Sequence, residues 1–392
     1  MKIITDSRCT AYSSPGHPEK PARVSQTVEQ LKSQSELKIA WIEPLLVDEK
    51  IIERAHTNGY DAIRELDLDE LYRREPRLGP GARGALEVLD EGIVCPFTTP
   101  LAYATEAVAN GCVLYRDTCV TAVERRPGGG FDVLTSRGPF TARYFVNAAG
   151  LRSDELNRLA GHDDFTVTPR RGELIVFDKL SRPLLRHIVL AVPTGTTKGV
   201  LVSPTVFGNL ILGPTAEDIE RKDDTSSTAA GLAYLRSEGG RILPELLQHE
   251  VTAVYVGLRA ATEHTDYQIA IHASEGYACV GGIRSTGLTA SLAIGEHVRT
   301  ELEAAGLELR PKREVVSVGM PNIGELSPRP YERGGRMVCF CERVTLGEIE
   351  AALGSSIPPV DLDGLRRRTR VLMGRCQGFY CGARVRELLE RH

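Results

Sequence analysis

The sequence predicts a chain of α/β and α+β class: a body of strands and helices in its middle, and a small helical domain at its end. Three observations predict this. The run ARYFVNAAGLRSDELNRLAG reads as a strand entering a string of small residues and continuing as a helix, the local order of an α/β layer. Residues from about 166 to 280 hold one short β-branched run after another, with turn residues between them, the pattern of a sheet-rich domain. The end of the chain follows a proline- and glycine-rich stretch, MPNIGELSPRPYERGG, and gathers four of the nine cysteines.

Each element has its own local reason. The first 65 residues are polar, with helical patterns over ARVSQTVEQLKS and DEKIIERAHTNGYDAIREL. PLAYATEAVANG is a helix opened by proline, whose missing N–H is no loss in a first turn, and stopped at Gly111. CVLYRDTCVTAVERR reads as strand, PGGG as a turn and FDVLTS as the returning arm of a hairpin. LRSDELNRLAG is a short helix closed by Gly161. RGELIVFD, GVLVSPT, NLILGPT, VTAVYVGLRA and YACVGG are strands, and TSSTAAGLAYLRSEGGRILPEL supplies helix between them. GGIRSTGLTASLAIGEHVRTELEAAG passes from loop to helix. MPNIGELSPRPYERGG belongs to a linker over about 312–335. Beyond it, Thr345 is the N-cap of TLGEIEAAL with Glu348 three residues on, and GARVRELLERH is a closing helix.

The chain has 392 residues, 42% of them hydrophobic, enough for more than one core. Its formal charge of -4, from 52 acidic and 48 basic residues, argues against a nucleic-acid partner. It leaves room for a small anionic metabolite in a local basic pocket. No run is long and apolar enough for a membrane span, and the first residues lack an apolar h-region, so the expectation is a cytoplasmic protein, with peripheral membrane contact left open.

Cys9, Cys95, Cys112, Cys119 and Cys279 are scattered, as small buried hydrophobes are. Cys339 and Cys341 form C-x-C, and Cys376 and Cys381 form C-x4-C. Four clustered thiols suit an iron–sulfur centre, zinc, or a set of reduced buried thiols. The C-x-C arm is unusual for zinc. Both pairs lie beside helix starts, whose N–H groups face an anionic cluster well, and this favours iron–sulfur.

In the middle, Ala148, Ala149 and Gly150 let backbone approach a planar ligand, or pack a tight turn. Gly281, Gly282 and Gly287 surround a helix start where Thr286 to Thr289 can present N–H groups to an anion, or simply turn the chain. Arg259 in GLRA and Arg170 and Arg171 in TPRRGE can fork onto a carboxylate or phosphate, or serve in ion pairs. Glu263 is the structural rival for Arg259. His187, His264 and His272 are proton-acceptor candidates set against ordinary packing.

Two resemblances sharpen this reading. VCFCERVTLGEIEAAL with RRRTRVLMGRCQGFYC resembles the bacterioferritin-associated-ferredoxin-like 2Fe–2S domain. The resemblance implies that Cys339, Cys341, Cys376 and Cys381 ligate one cluster. GALEV, VNAAGLRSDELNRLAG, TPRRGELIVFDK, VPTGTTKGVLVSPTVFGNLILGPTAED, YVGLRA and GGIRSTGLTASLAIGEHV resemble the D-amino-acid-oxidase-like FAD superfamily, nearest its glycerol-3-phosphate and L-2-hydroxyglutarate dehydrogenase types. The resemblance implies an FAD-binding Rossmann-like domain with a mixed-sheet substrate domain. It puts Val120, Asn147, Ala148, Ala149 and Gly150 at the adenine side of FAD. It puts Gly281, Gly282, Ile283, Arg284, Ser285, Thr286, Gly287, Leu288 and Thr289 at the pyrimidine edge of the isoalloxazine. Arg259, with Arg171, would hold the substrate anion. The function implied is an FAD-linked dehydrogenase of glycerol 3-phosphate or a 2-hydroxy acid, passing electrons through a 2Fe–2S centre to an electron acceptor or partner redox subunit.

One part of the pattern is absent. The first 65 residues contain no GxGxxG followed by an acidic strand end, so the Rossmann unit is incomplete and its pyrophosphate cradle has no candidate. GHPEKPAR and the later His56 to Tyr60 instead resemble the start of a histone-deacetylase-like or acetoin-utilisation protein. No DxH phrase accompanies His17 or His56, so zinc-dependent deacetylation stays a remote alternative. An iron–sulfur electron-transfer subunit without a complete FAD site is the nearer one. The expected domains are 1–65, the oxidoreductase region 66–311 with 166–280 mainly substrate domain, the linker 312–335 and the cluster domain 336–392.

Overall fold

The computed structural model describes residues 62–191, 199–321, 323–324 and 335–392. The expected helices before residue 62, the deacetylase-like phrases and most of the linker lie outside the described residues.

The described chain opens with β1 (Ile63–Leu66), α1 (Leu68–Arg74) and β2 (Ala85–Val88). β1 was expected to finish a helix. It pairs antiparallel with β2 instead, Ile63 facing Val88 and Leu66 facing Ala85. Asp67 starts α1 in its place, its carboxylate accepting from the Glu70 N–H. Helix α2 (Thr98–Ala109) stops before Gly111, which takes φ 92°. The expected strand through CVLYRDTCV is shortened. Asp117 takes φ 52°, turning the chain, and β3 begins only at Val120 (Val120–Arg125). β4 (Phe131–Thr135) returns after Gly129 and Gly130, both at positive φ, and β5 (Gly138–Ala142) completes a three-stranded meander.

β6 (Phe145–Asn147) leads through the small residues into α3 (Ser153–Leu159). β7 (Val167–Phe177) is the spine of the largest sheet, with β8 (Val189–Leu190), β9 (Leu201–Pro204), β10 (Leu210–Gly213) and β11 (Glu217–Asp218). Helix α4 (Ala229–Ile242), capped by the Thr228 hydroxyl, packs on this sheet, and β12 (Val251–Thr262) runs along β7 for its full length. Every pairing in this sheet is antiparallel. Its core is Ile175, Phe177, Val202, Leu210 and Leu212 against Leu235, Leu243 and Leu246, most of them fully enclosed.

β13 (Gln268–His272) and β14 (Tyr277–Gly281) form a hairpin, and β14 lies parallel to β6 with Cys279 beside Asn147. This is the only parallel pair among the described residues, and α5 (Gly287–Ala304) follows it. Together these elements are the expected fragment of a dinucleotide-type sheet. A separate core forms in the last domain from β15 (Met337–Cys339), β16 (Val344–Thr345), α6 (Leu346–Leu353), α7 (Leu362–Thr369) and α8 (Gly382–Glu390). The expected capping box is present: the Thr345 hydroxyl accepts from the Glu348 N–H, and the Glu348 carboxylate accepts from the Thr345 N–H.

Candidate active site and cluster centre

The four clustered cysteines converge. Cys339, Cys341, Cys376 and Cys381 line one open pocket of about 360 Å³ with Phe340 and Tyr380 at its rim. Cys339 ends β15, Cys341 lies in the following turn, Cys376 sits in the loop after α7 and Cys381 precedes α8. Backbone donors aim at the sulfurs. The N–H of Tyr380, joined by those of Gly378 and Phe379, holds the Cys376 thiol below its ordinary value against the effect of burial. The Cys376 N–H is directed at Cys341, but burial and the neighbouring sulfurs outweigh it and raise that thiol. Burial and the Cys339 sulfur push Cys381 up to about 12, opposed by the Leu372 N–H.

This geometry needs an unusual backbone. Arg343, Arg370, Leu372 and Gln377 are four of the five non-glycine residues at positive φ among the described residues. Left-handed turns of this kind point successive N–H groups into one hollow. A Cβ on Gly374 would lie 2.3 Å from the Cys341 Cβ, so only glycine lets the two ligand loops approach. Four sulfurs gathered in one hollow among inward N–H donors fit an iron–sulfur cluster: iron offsets the sulfur charge and the donors stabilise the remaining negative charge.

The flavin-side residues form a second group. Asn147 is fully buried, and its amide nitrogen reaches Ser153 O at 2.8 Å and Tyr277 Oη at 3.1 Å while its oxygen accepts from the Ala149 N–H. Its side chain therefore shapes the loop from within. Ala148, Ala149 and Gly150 are exposed, and a Cβ on Gly150, at φ 59°, would meet nothing within 4 Å. Val120 is half-buried and packs against the Phe131–Tyr277 core. Gly281 is closed from behind by the Phe165 ring, and Gly282 takes φ 64°. Ile283, Arg284, Ser285 and Thr286 lead into α5, whose first residues are Gly287, Leu288 and Thr289. No side chain caps α5, because the Thr286 hydroxyl turns to Tyr267. Its first N–H groups are thus left for a ligand. The parallel strand ends and this helix start fit the planar and pyrimidine-facing parts of FAD. A pyrophosphate cradle has no counterpart among the described residues.

The arginines separate by their partners. Arg171 is buried and ion-paired with Asp224 at 2.7 Å and Glu217 at 3.4 Å. Arg170 forks onto Asp218 at 2.6 and 2.8 Å. Arg259 is half-buried and donates to the carbonyls of Arg170, Arg171 and Thr215. No carboxylate lies within salt-bridge distance of it among the described residues. The expected rival Glu263 is elsewhere, accepting from the Thr166 N–H through both oxygens at 3.1 Å. Burial, then the charge of Arg170, lowers the Arg259 pKa. By strand alternation Arg259, Gly257 and Tyr255 share a face with Arg170, Gly172 and Leu174 opposite them. The missing side chain at Gly172 is where the Arg259 guanidinium lies, 2.9 Å from the position a Cβ would take, and only Gly257 leaves clear space beside it.

Two of the three histidines are occupied. His187 Nδ1 meets Glu75 at 2.7 Å, and His264 Nε2 meets the Asp164 carbonyl at 3.2 Å. His272 stacks on His162 with ring centres 3.8 Å apart, and its buried Nε2 has no hydrogen-bond partner among the described residues. Sequence reasoning missed a further set. Arg370 and Arg375 in the cluster domain reach residues of the large sheet, as does Glu342. The one signal, for Glu342 and Arg375 alone, was a charged residue next to a clustered cysteine in CER and GRC.

Comparison with known proteins finds one FAD-binding and one 2Fe–2S-binding family. The family model for "FAD dependent oxidoreductase" matches residues 33–300, and that for "BFD-like [2Fe-2S] binding domain" matches 337–391. The first match starts ahead of the boundary drawn at residue 66. A glycerol 3-phosphate dehydrogenase of Caloramator mitchellensis is 32% identical over 353 residues, 87% of this chain and 73% of that protein. One component of the anaerobic glycerol-3-phosphate dehydrogenase of Escherichia coli K12 is 26% identical over 81% of this chain and 66% of its own length. The chain spans less than two thirds of a glycerol 3-phosphate oxidase of Mycoplasma pneumoniae, 64% of its length at 30% identity. The solved structure of L-alpha-glycerophosphate oxidase from that organism, with FAD bound, superposes with a TM-score of 0.62 at 28% identity, covering 68% of this chain and 71% of that one. No helix among the described residues is long and apolar enough to cross a membrane. The chain belongs to the FAD dependent oxidoreductase family and carries a BFD-like 2Fe–2S domain at its C-terminal end.

Proposed function

We propose that the protein is a dehydrogenase of a small anionic alcohol, glycerol 3-phosphate or a 2-hydroxy acid, that delivers electrons through its 2Fe–2S centre to a separate acceptor. The observation that carries this reading is Arg259: a half-buried guanidinium without a carboxylate partner among the described residues, laid over Gly172 with clear space at the neighbouring Gly257. Burial makes an added anion favourable there, and the planar fork suits a phosphate or carboxylate. Oxidation of the secondary alcohol to a ketone removes a hydride and a proton. FAD, when bound, supplies the hydride acceptor. The chain's own part is to fix the anion at Arg259, to present the α5 N–H groups at the isoalloxazine edge, to let the backbone of Ala148 to Gly150 approach the adenine side, and to hold a one-electron centre on Cys339, Cys341, Cys376 and Cys381. Arg171, already neutralised by two carboxylates, supports the strand that carries this face. The domain limits proposed are 66–311 for the oxidoreductase region and 336–392 for the cluster domain.

The test is anaerobic purification, assay of FAD, iron and acid-labile sulfide, and turnover with glycerol 3-phosphate and 2-hydroxy acids against a one-electron dye. About two iron and two sulfide per chain, with turnover of one of these substrates once FAD is added, is the expected result. Stoichiometric zinc in place of iron would end the cluster assignment.

A second reading is favoured by the exposed Ala148–Gly150 loop and by the lack of GxGxxG in the first 65 residues. In it the chain keeps the cluster and passes electrons as a subunit whose flavin site is incomplete. Weak FAD binding with a full cluster is its signature, and a flavin-saturated preparation is incompatible with it.

A further inference from the structure

The loops that cradle the cysteines also make the contact between the cluster domain and the large sheet. Glu342, next to Cys341, accepts from Arg370 at 3.2 Å and from Lys179 at 2.9 Å. Arg370 and Glu342 are both buried. The Arg370 guanidinium lies 4.1 Å from the centre of the Phe207 ring and donates to the Asn209 side chain at 3.3 Å. Arg375, next to Cys376, forks onto Asp178 at 3.0 and 3.2 Å and reaches Glu250 at 3.5 Å. Lys179, Asp178, Phe207, Asn209 and Glu250 all belong to one end of the sheet, around β7, β10 and the start of β12. The signs are complementary: an acidic pair and an aromatic ring receive arginines, and a lysine receives a glutamate.

Three of these residues, Arg370, Glu342 and Arg375, are bound to the cluster cradle by the backbone itself. Arg370 and Leu372 take φ 71° and 68°, and that turn sends the Arg370 side chain to the sheet and the Leu372 N–H to the Cys381 sulfur. Glu342 and Arg375 have no chain length between them and their neighbouring ligands. The cradle cannot loosen without moving the docking side chains, and the docking side chains cannot leave without freeing the cradle.

We propose that this sheet end is a docking site for the cluster domain, and that docking and cluster binding are linked: each strengthens the other, so the loaded centre is held at a fixed place on the oxidoreductase domain rather than carried on a tether. Arg370 and Arg375 position the cluster domain on the sheet end. Thermodynamic linkage of this kind is reciprocal and commonly amounts to roughly 5–150-fold. The linkage rests on the cluster assignment above, whereas the docking itself does not.

The test uses the full chain, anaerobically reconstituted, with a protease site engineered within residues 325–334. After cleavage the two pieces of the parent protein are expected to elute together. Asp178→Arg and Arg375→Asp, each alone, are expected to let the small piece separate, and the double charge swap to restore co-elution, which a general folding defect would not do. In the uncut protein, an iron chelator is expected to remove the cluster roughly tenfold faster from Asp178→Arg than from the parent, with the double swap slowed again. Separation of the cut parent, or single reversals that leave co-elution intact, overturns the docking site. Co-elution with chelation rates equal in all four proteins overturns the linkage. A preparation without iron would instead refute the cluster assignment, while the elution result would still decide the docking.

Discussion

Arg259 is where substrate binding and fold stability can be told apart. Its three carbonyl partners hold the side chain in place without neutralising it. Arg259→Lys keeps the charge and loses the fork. In steady-state assays with added FAD, kcat/KM is expected to fall by roughly 2–4 kcal/mol while the thermal midpoint barely moves. A large drop in the midpoint with kcat/KM unchanged would make it a scaffold residue. His272 has a different expectation. Burial, then the charge on His162, depresses its pKa. The unfolded chain therefore takes up a proton that the folded chain refuses. Stability is complete above the ordinary histidine value of about 6.5 and is lost as pH falls from there toward the lower folded value. Glu275 adds a loss in the same direction at more acidic pH. Burial raises its carboxyl, but His162 and Arg125 outweigh that and lower it. His272→Phe keeps a stacked ring and removes the titration. Its thermal midpoint should vary less between about pH 7.5 and 5.5 than the parent's, and an equal variation would place the effect elsewhere.

At the scale of elements, α4 shows a glycine serving packing. A Cβ on Gly231 would lie 1.4 Å from an oxygen of Glu173, a carboxylate almost fully buried and accepting from the Thr215 and Thr228 hydroxyls and the Thr228 N–H. In a free helix Gly→Ala gains about 1 kcal/mol. Here overpacking and a displaced buried carboxylate should reverse the sign, so Gly231→Ala is expected to lower stability by about 1–3 kcal/mol in a denaturant titration. Local signals of this kind divided the legible from the hidden. The Thr345–Glu348 cap, the stops at Gly111 and Gly161 and the turn at Gly129–Gly130 act within a few residues and could be read directly. β1 could not, because its state depends on Ala85–Val88 far along the chain. Nor could the commitment of Arg171, whose carboxylates belong to a distant strand and loop. The four cysteines were legible as a group because two close pairs stand out from the scattered ones, and the resemblance implied that they hold one cluster. The N–H donors around them depend on four unusual backbone angles that no residue type announces.

For the whole molecule, the cluster domain is too small to rely on apolar burial alone. Its core is one modest group of side chains around Ile349, Leu365 and Val385, and chains of this size commonly need a metal or another staple. The four cysteines come from two loops with α6 and α7 between them, so a cluster held by them would close that span. Cys376→Ser is expected to abolish the visible absorption of the cluster and to make the last domain susceptible to protease, while residues before the linker remain resistant. Uniform digestion of both regions would show that the domains do not fold as separate units.

The order of the docking surface along the chain has a consequence for synthesis. Asp178, Lys179, Phe207, Asn209 and Glu250 all leave the ribosome before Cys339 is made, and so does the whole of the sheet that carries them. Domains generally acquire their structure in the order in which they emerge. The landing site for the last domain is thus finished while that domain is still being translated, and iron can be inserted into a segment that already has somewhere to rest. A nascent chain halted after β12 would show the Phe207 ring and two carboxylates uncovered, a surface for a chaperone to hold until the cysteines arrive.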